Sequence, residues 1–192
     1  IIPRGGRRAR GVAGFFPPIH QPETTVGIDG LRISSNSISG LDVRPGTVWN
    51  GIQLTSARDA VVQDNVIERV SGAGILLYGV PGIPLDSRNI RIQGNVIRDT
   101  GFNRFGAHPY AIDLINNGRG RFEGLLVSGN RIESSLPLAG GMRGVRVQGS
   151  GHVAGVRIEG SNSFVNLKRR DHWIEDSGLK KGVTVAPSLR LP

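Results

Sequence analysis

Apolar residues in this chain recur in short alternating runs, and two such patterns interleave along it. One ends on an asparagine corner: Leu31-Arg32-Ile33-Ser34-Ser35-Asn36-Ser37-Ile38, then Val61-Val62-Gln63-Asp64-Asn65-Val66-Ile67, Ile90-Arg91-Ile92-Gln93-Gly94-Asn95-Val96-Ile97 and Leu126-Val127-Ser128-Gly129-Asn130-Arg131-Ile132. A looser copy follows at Val156-Arg157-Ile158-Glu159-Gly160-Ser161-Asn162-Ser163-Phe164. The other is Gly51-Ile52-Gln53-Leu54, Gly74-Ile75-Leu76-Leu77, Ala111-Ile112-Asp113-Leu114 and Gly144-Val145-Arg146-Val147. Period-two alternation is the signature of a strand with one buried face. Steps of 29, 30, 35 and 32 residues separate Asn36, Asn65, Asn95, Asn130 and Asn162, a spacing that suits one solenoid turn plus loops.

One coil therefore reads as strand, turn, strand, asparagine corner, strand, loop. Stacked coils would pile Ile52, Ile75, Ile112 and Val145 into one inward column. Asn suits the corner because it tolerates left-handed dihedrals and its amide can bond to backbone and to the next Asn. A buried ladder of Asn36, Asn65, Asn95 and Asn130 is the expectation, with a structural role rather than a functional one.

These interlocked motifs resemble the repeats of the pectin lyase-like superfamily, in which a Gly-Ile-x-Leu strand precedes a segment like Val-x-Ile-x-x-Asn-x-Ile. The resemblance covers about residues 26–165 and implies an all-β, right-handed parallel β-helix of about four to five coils. Residues 1–25, with Phe15-Phe16-Pro17-Pro18, and residues 166–192, with Trp173-Ile174 and Val183-Thr184-Val185, read as segments that cap its ends. The superfamily spans polysaccharide lyases, hydrolases, epimerases, tailspike depolymerases, adhesins and non-catalytic modules, so the fold leaves the activity open.

Composition narrows this further. Among 192 residues, 29 glycines and few aromatics argue against a helical bundle. The absence of Cys removes disulfides, thiolate metal sites and Cys nucleophiles. No apolar run is long enough for a membrane helix, and the start lacks a charged-then-apolar leader order. The chain opens without Met, which we read as a processed form or, in preference, a piece of a longer protein.

A formal charge of +9 favours a polyanionic partner. Its unevenness, with Arg4, Arg7, Arg8 and Arg10 at the start and Lys168-Arg169-Arg170 and Lys180-Lys181 near the end, also reads as solvated termini. Nucleic acid is disfavoured, since no recognised module and little interleaved aromatic surface accompany the charge.

In the superfamily, substrate lies along the outer face of the sheet built from the Gly-Ile-x-Leu strands. Alternation places Gln53, Leu76, Asp113 and Arg146 there. The long loop from Arg98 to Pro109 brings Asp99, Arg104, His108 and Tyr110 toward Asp113. A cation such as Arg146 or Arg104 would neutralise a uronate carboxylate, His108 would take the C5 proton, and Tyr110 would donate to the leaving oxygen, giving β-elimination or C5 epimerisation. The candidate catalytic set is His108, Tyr110, Asp113 and Arg146; Arg104, Asp99, Gln53, Tyr78 and Arg143 are candidate substrate contacts. Hydrolysis would need a second carboxylate beside Asp113. The same residues equally read as a loop-ending His-Pro pair, a packing tyrosine and a cross-coil ion pair.

His20, His152 and His172 lack companion ligands, and no metal site is expected. A calcium site on loops is compatible with the resemblance, though no acidic repeat supports one. The resemblance implies an acidic polysaccharide partner and a secreted, cell-surface or virion location. The rival expectation is a non-catalytic structural or adhesive module of a surface or phage tail protein, either as a homotrimer or within a longer chain.

Overall fold

The computed structural model describes residues 12–13, 28–40, 49–101, 110–135, 142–167, 172–174, 180–186 and 189–191, the backbone alone for 12–13, 172–174, 180–181 and 189–191. The chain is a parallel β-solenoid with no helix among these residues. Four six-stranded sheets run along it, each taking one strand from every coil. The first contains Ile52–Leu54, Ile75–Gly79, Tyr110–Asn116 and Arg143–Gln148. The second contains Ala57–Arg58, Ser87–Arg88, Arg121–Glu123 and His152–Ala154. In the third are Arg32–Ser34, Val61–Gln63, Arg91–Gln93, Leu126–Ser128 and Arg157–Ile158. The fourth holds Ser37–Ser39, Val66–Glu68, Val96–Arg98, Arg131–Glu133 and Ser163–Val165.

The expected solenoid of about four to five coils is the architecture, and strands from both terminal segments extend its sheets. Val12–Ala13 pairs with Ile52 and Gln53 at one end. At the other end His172–Ile174, Lys180–Lys181, Thr184–Val185 and Leu189–Leu191 pair onto the four sheets in turn. The segment expected to be a plain turn between the first and third sheets is itself a strand of two or three residues. In the coil of Ala57–Arg58 it is bent off from its neighbours by left-handed residues at Ser56 and Asp59.

Register follows the sequence pattern. Ile52, Ile75, Ile112 and Val145 are Cα partners in one column. With Ile33, Val62, Ile92, Val127 and Ile158 from the third sheet, and Ile38, Ile67, Ile97, Ile132 and Phe164 from the fourth, they form one continuous apolar core. Each such side chain contributes about 1.5–3 kcal/mol on burial, so stacking rather than strand propensity supplies the cohesion.

The asparagine corners form a directed ladder. Asn95 Oδ1 accepts from the Asn65 backbone N–H at 3.1 Å and from Asn65 Nδ2 at 2.9 Å. Asn95 Nδ2 donates forward to Asn130 Oδ1 at 2.9 Å and back to the Val62 carbonyl at 3.0 Å. One amide thereby clamps three consecutive coils, and the pattern runs from Asn36 through Asn65, Asn95 and Asn130 to Asn162. Two details differ from expectation. Asn36 begins the ladder and is exposed, so the buried members are Asn65, Asn95, Asn130 and Asn162. The left-handed residue at the bend is the one before the asparagine: Ser35, Asp64, Gly94 and Gly129. This leaves Asn free to direct its amide inward along the axis.

Asn95→Ala should cost about 3 kcal/mol or more, because several buried groups lose their partners at about 1–3 kcal/mol each. Asn36→Ala, at the exposed end, should cost under about 1 kcal/mol. Urea unfolding of the two variants measures the difference, and equal losses would show that the ladder does not hold the coils together.

Candidate functional site

The outward row of the first sheet runs in register as Gln53, Leu76, Asp113 and Arg146. The expected open groove is not what this row presents. Leu76 is 4% exposed, Asp113 0% and Arg146 8%. Leu76 packs with Ala73 and Ile115, and with the half-buried Tyr78, in a small apolar cluster separate from the core. A charge placed in such surroundings must be paired, and Asp113 and Arg146 are. Arg146 Nε donates to Asp113 Oδ1 at 2.7 Å and Nη2 to Oδ2 at 2.5 Å, a two-pronged pair between adjacent coils.

Tyr110 joins them through a break in alternation. Simple parity would turn Tyr110 into the core with Ile112, but Ala111 takes the core position instead. The Tyr110 ring lies beneath two guanidinium groups, with Arg146 Cζ 4.5 Å and Arg143 Cζ 5.3 Å from its centroid. Its hydroxyl accepts from Arg143 Nη1 at 2.9 Å. Tyr110 is fully buried, so donating to a leaving oxygen would require the cluster to open.

Four of the candidate residues are thus brought together: Tyr110, Asp113, Arg143 and Arg146. Gln53 lies on the same row but belongs to another contact, accepting from Asn50 Nδ2 at 3.0 Å. Tyr78 sits level with Ile115, toward the far end of the strand. Asp99 occupies a different corner, with left-handed φ of 47°. Its carboxylate accepts from the Ser135 N–H at 2.7 Å and from Ser135 Oγ at 2.5 Å, tying two coils rather than approaching Asp113. His108 and Arg104 lie outside the described residues. Among the described residues, no three His, Asp or Glu side chains gather as a metal site would require, and no helix is long and apolar enough to cross a membrane.

Arg143 differs from Arg146 in what it leaves unused. It is half-buried and, among the described residues, has no carboxylate partner and leaves its buried Nε without an acceptor. Register places Arg143 level with Tyr110, at the entry edge of the first sheet. Trp49, one residue beyond the same level three coils away, is 39% exposed and is the large exposed hydrophobic side chain among the described residues. Its N–H donates to Ser71 Oγ at 3.0 Å and its carbonyl accepts from Gly72 at 2.8 Å, which fixes its backbone. The sequence reading did not single out Trp49, although an isolated Trp just before a Gly-Ile-x-Leu strand was the available signal.

The sequence also missed Asn116 as a structural plug at the exit end of the same sheet. Its Nδ2 donates to the Gly120 carbonyl at 2.9 Å and the His152 carbonyl at 2.7 Å, and its Oδ1 accepts from Gly118 at 3.1 Å. Gly149, with φ of 123°, lies directly against the Asn116 backbone, where a Cβ would collide.

No curated protein and no solved structure matches this chain. A family profile described as the right handed beta helix region matches residues 19–149. That span is more than half of the chain, and it takes in the asparagine ladder from Asn36 to Asn130 and the Tyr110–Arg146 cluster. The chain therefore belongs to the right-handed β-helix family, and the pectin lyase-like superfamily fits its fold.

Proposed function

We propose that this β-helix domain binds an acidic polysaccharide along the entry edge of its first sheet, with Arg143 receiving a uronate carboxylate. The observation that carries this reading is the division of labour between two arginines. Arg146 is already neutralised by Asp113, whereas Arg143 keeps guanidinium N–H groups that pair with no carboxylate among the described residues. A planar guanidinium held over an aromatic ring is pre-organised for two-pronged carboxylate binding. Trp49, three coils along the same edge and so about 14 Å away, offers an apolar face on which a sugar ring can stack. The chain's excess of cations adds long-range attraction for such a polymer. A ligand of this kind places the domain outside the cell, at a cell surface or on a virion.

Neutralising the carboxylate would also make the C5 proton more acidic, so β-elimination or C5 epimerisation is the chemistry this site would serve, with His108 as base. A second reading, a non-catalytic adhesive or structural module, is favoured by the same cluster. Asp113 and Tyr110 are buried and engaged, Asp113 by Arg146 and Tyr110 by Arg143, so they act as supports for the two arginines rather than as acid and base.

Three measurements follow from this reading. Asp113→Ala leaves Arg146 buried without its counter-charge and should cost about 3–5 kcal/mol, while Asp113→Leu combined with Arg146→Met should recover most of it; chemical denaturation compares them. Arg143→Gln should weaken binding to polygalacturonate about tenfold by calorimetry, while loss of its hydrogen bond to the Tyr110 hydroxyl lowers the melting temperature by only about 2–4 °C. Incubation with pectate, alginate and hyaluronan, followed at the absorbance of unsaturated uronates, separates the two readings. A rise that His108→Ala abolishes supports elimination, and retention without turnover supports the adhesive module. No retention on any of these polymers overturns the proposal.

A further inference from the structure

The geometry points to a second glycan-binding surface on the third sheet, distinct from the Arg143 edge, that takes a linear acidic polysaccharide carrying one carboxylate per two sugars. The outward column there reads Arg32, Val61, Arg91, Leu126, Arg157 in register. Cations and apolar residues alternate coil by coil. Adjacent parallel strands lie about 4.8 Å apart, so the guanidinium groups recur every second coil, at about 9.6 Å. A polymer with a carboxylate on every sugar would place half of its charges over Val61 and Leu126. One with alternating acidic and neutral sugars places carboxylates on arginines and apolar ring faces on the aliphatic positions between them.

At the middle of this column the surface is concave, lined by Asp59, Val61, Asn89, Arg91, Gly124 and Leu126. The Arg91 side chain is exposed and makes no hydrogen bond or ion pair among the described residues, its backbone N–H alone being engaged, by the Ala60 carbonyl at 2.9 Å. Gly124, left-handed at φ 64°, adds no side chain to the corner. Asn89 Nδ2 donates to Asp59 Oδ1 at 3.0 Å, which holds an acceptor-rich rim where sugar hydroxyls can donate. On the flanks Arg32 Nη1 reaches the neutral Gln63 amide, at 3.4 Å, and Arg157 is held by Glu159 at 2.8 Å. Arg91 is therefore the anchoring cation.

The acidic-glycan chemistry rests on the proposed function, but the surface does not, and the test keeps them apart. Hyaluronan oligosaccharides of increasing length, titrated calorimetrically into the whole chain with neutral dextran as control, are the probe. Affinity should rise once the oligosaccharide spans two arginines, and Arg91→Gln should lower it about tenfold. Leu126→Ser, which removes the apolar floor and keeps the charge, should weaken it in the same direction. If Arg91→Gln binds as the unaltered chain does while Arg143→Gln does not bind, all recognition lies on the first sheet and this inference falls alone. If Arg91→Gln weakens binding and Arg143→Gln does not, the third-sheet surface stands and the Arg143 site falls. Absence of binding by the unaltered chain, or equal binding of dextran, overturns both.

Discussion

A buried amide that commits its oxygen to the coil before it and its nitrogen to the coils on both sides permits no slip between coils. Asn65, Asn95 and Asn130 each do this, and a shift of one residue would break their bonds and turn the apolar columns outward together. Register is thus fixed by polar specificity at one corner, while cohesion comes from the aliphatic columns. Every outward side chain inherits its neighbours from that register, including Asp113 opposite Arg146.

Charge placement on such a scaffold follows distance. Opposite charges in adjacent coils lie close enough to pair, as in Asp113 with Arg146, and in Arg98 between Glu68 at 2.7 Å and Glu133 at 3.4 Å. The hydrogen bond to Glu68 is the main reason that the pKa of Arg98 lies above the usual guanidinium value, against a smaller opposing effect of desolvation. These exposed carboxylate contacts are worth little individually, whereas the buried Asp113–Arg146 pair cannot lose one member cheaply. Burial, not the presence of an ion pair, separates a surface ornament from a structural post.

The fold was legible because its information is periodic. Four copies of an Asn-x-Ile corner and four of a Gly-Ile-x-Leu strand identify the columns without any knowledge of loops, and the inward partners of Ile52 and Val62 follow by counting. The site was legible only in part. Counting placed Asp113 beside Arg146, but alternation could not say that this outer row is covered, because coverage depends on tertiary surroundings rather than on period. Nor could it anticipate the reversal at Tyr110 and Ala111, where one strand departs from strict alternation. Asp99 was drawn toward Asp113 by its place in a long loop, yet its left-handed dihedral and its bonds to Ser135 put it at another corner.

The same geometry explains why cations left over for ligands appear where they do. Like charges directly opposite on neighbouring strands repel, so a column that carries several arginines must interpose something between them. On the third sheet Val61 and Leu126 do so, and the resulting separation of about 9.6 Å exceeds the physiological screening length of about 8 Å. Where two arginines do stand opposite, as Arg58 and Arg88, one of them is compensated: Arg88 pairs with Asp86 at 2.6 Å and lies 3.5 Å from Glu123. A β-helix thus sorts its surface cations by coil spacing. Those bonded to a carboxylate, as Arg88, Arg98 and Arg146 are, belong to the scaffold, and Arg91, separated from the next cation by an aliphatic residue on each side, remains available to a polymer whose own charges repeat at that interval.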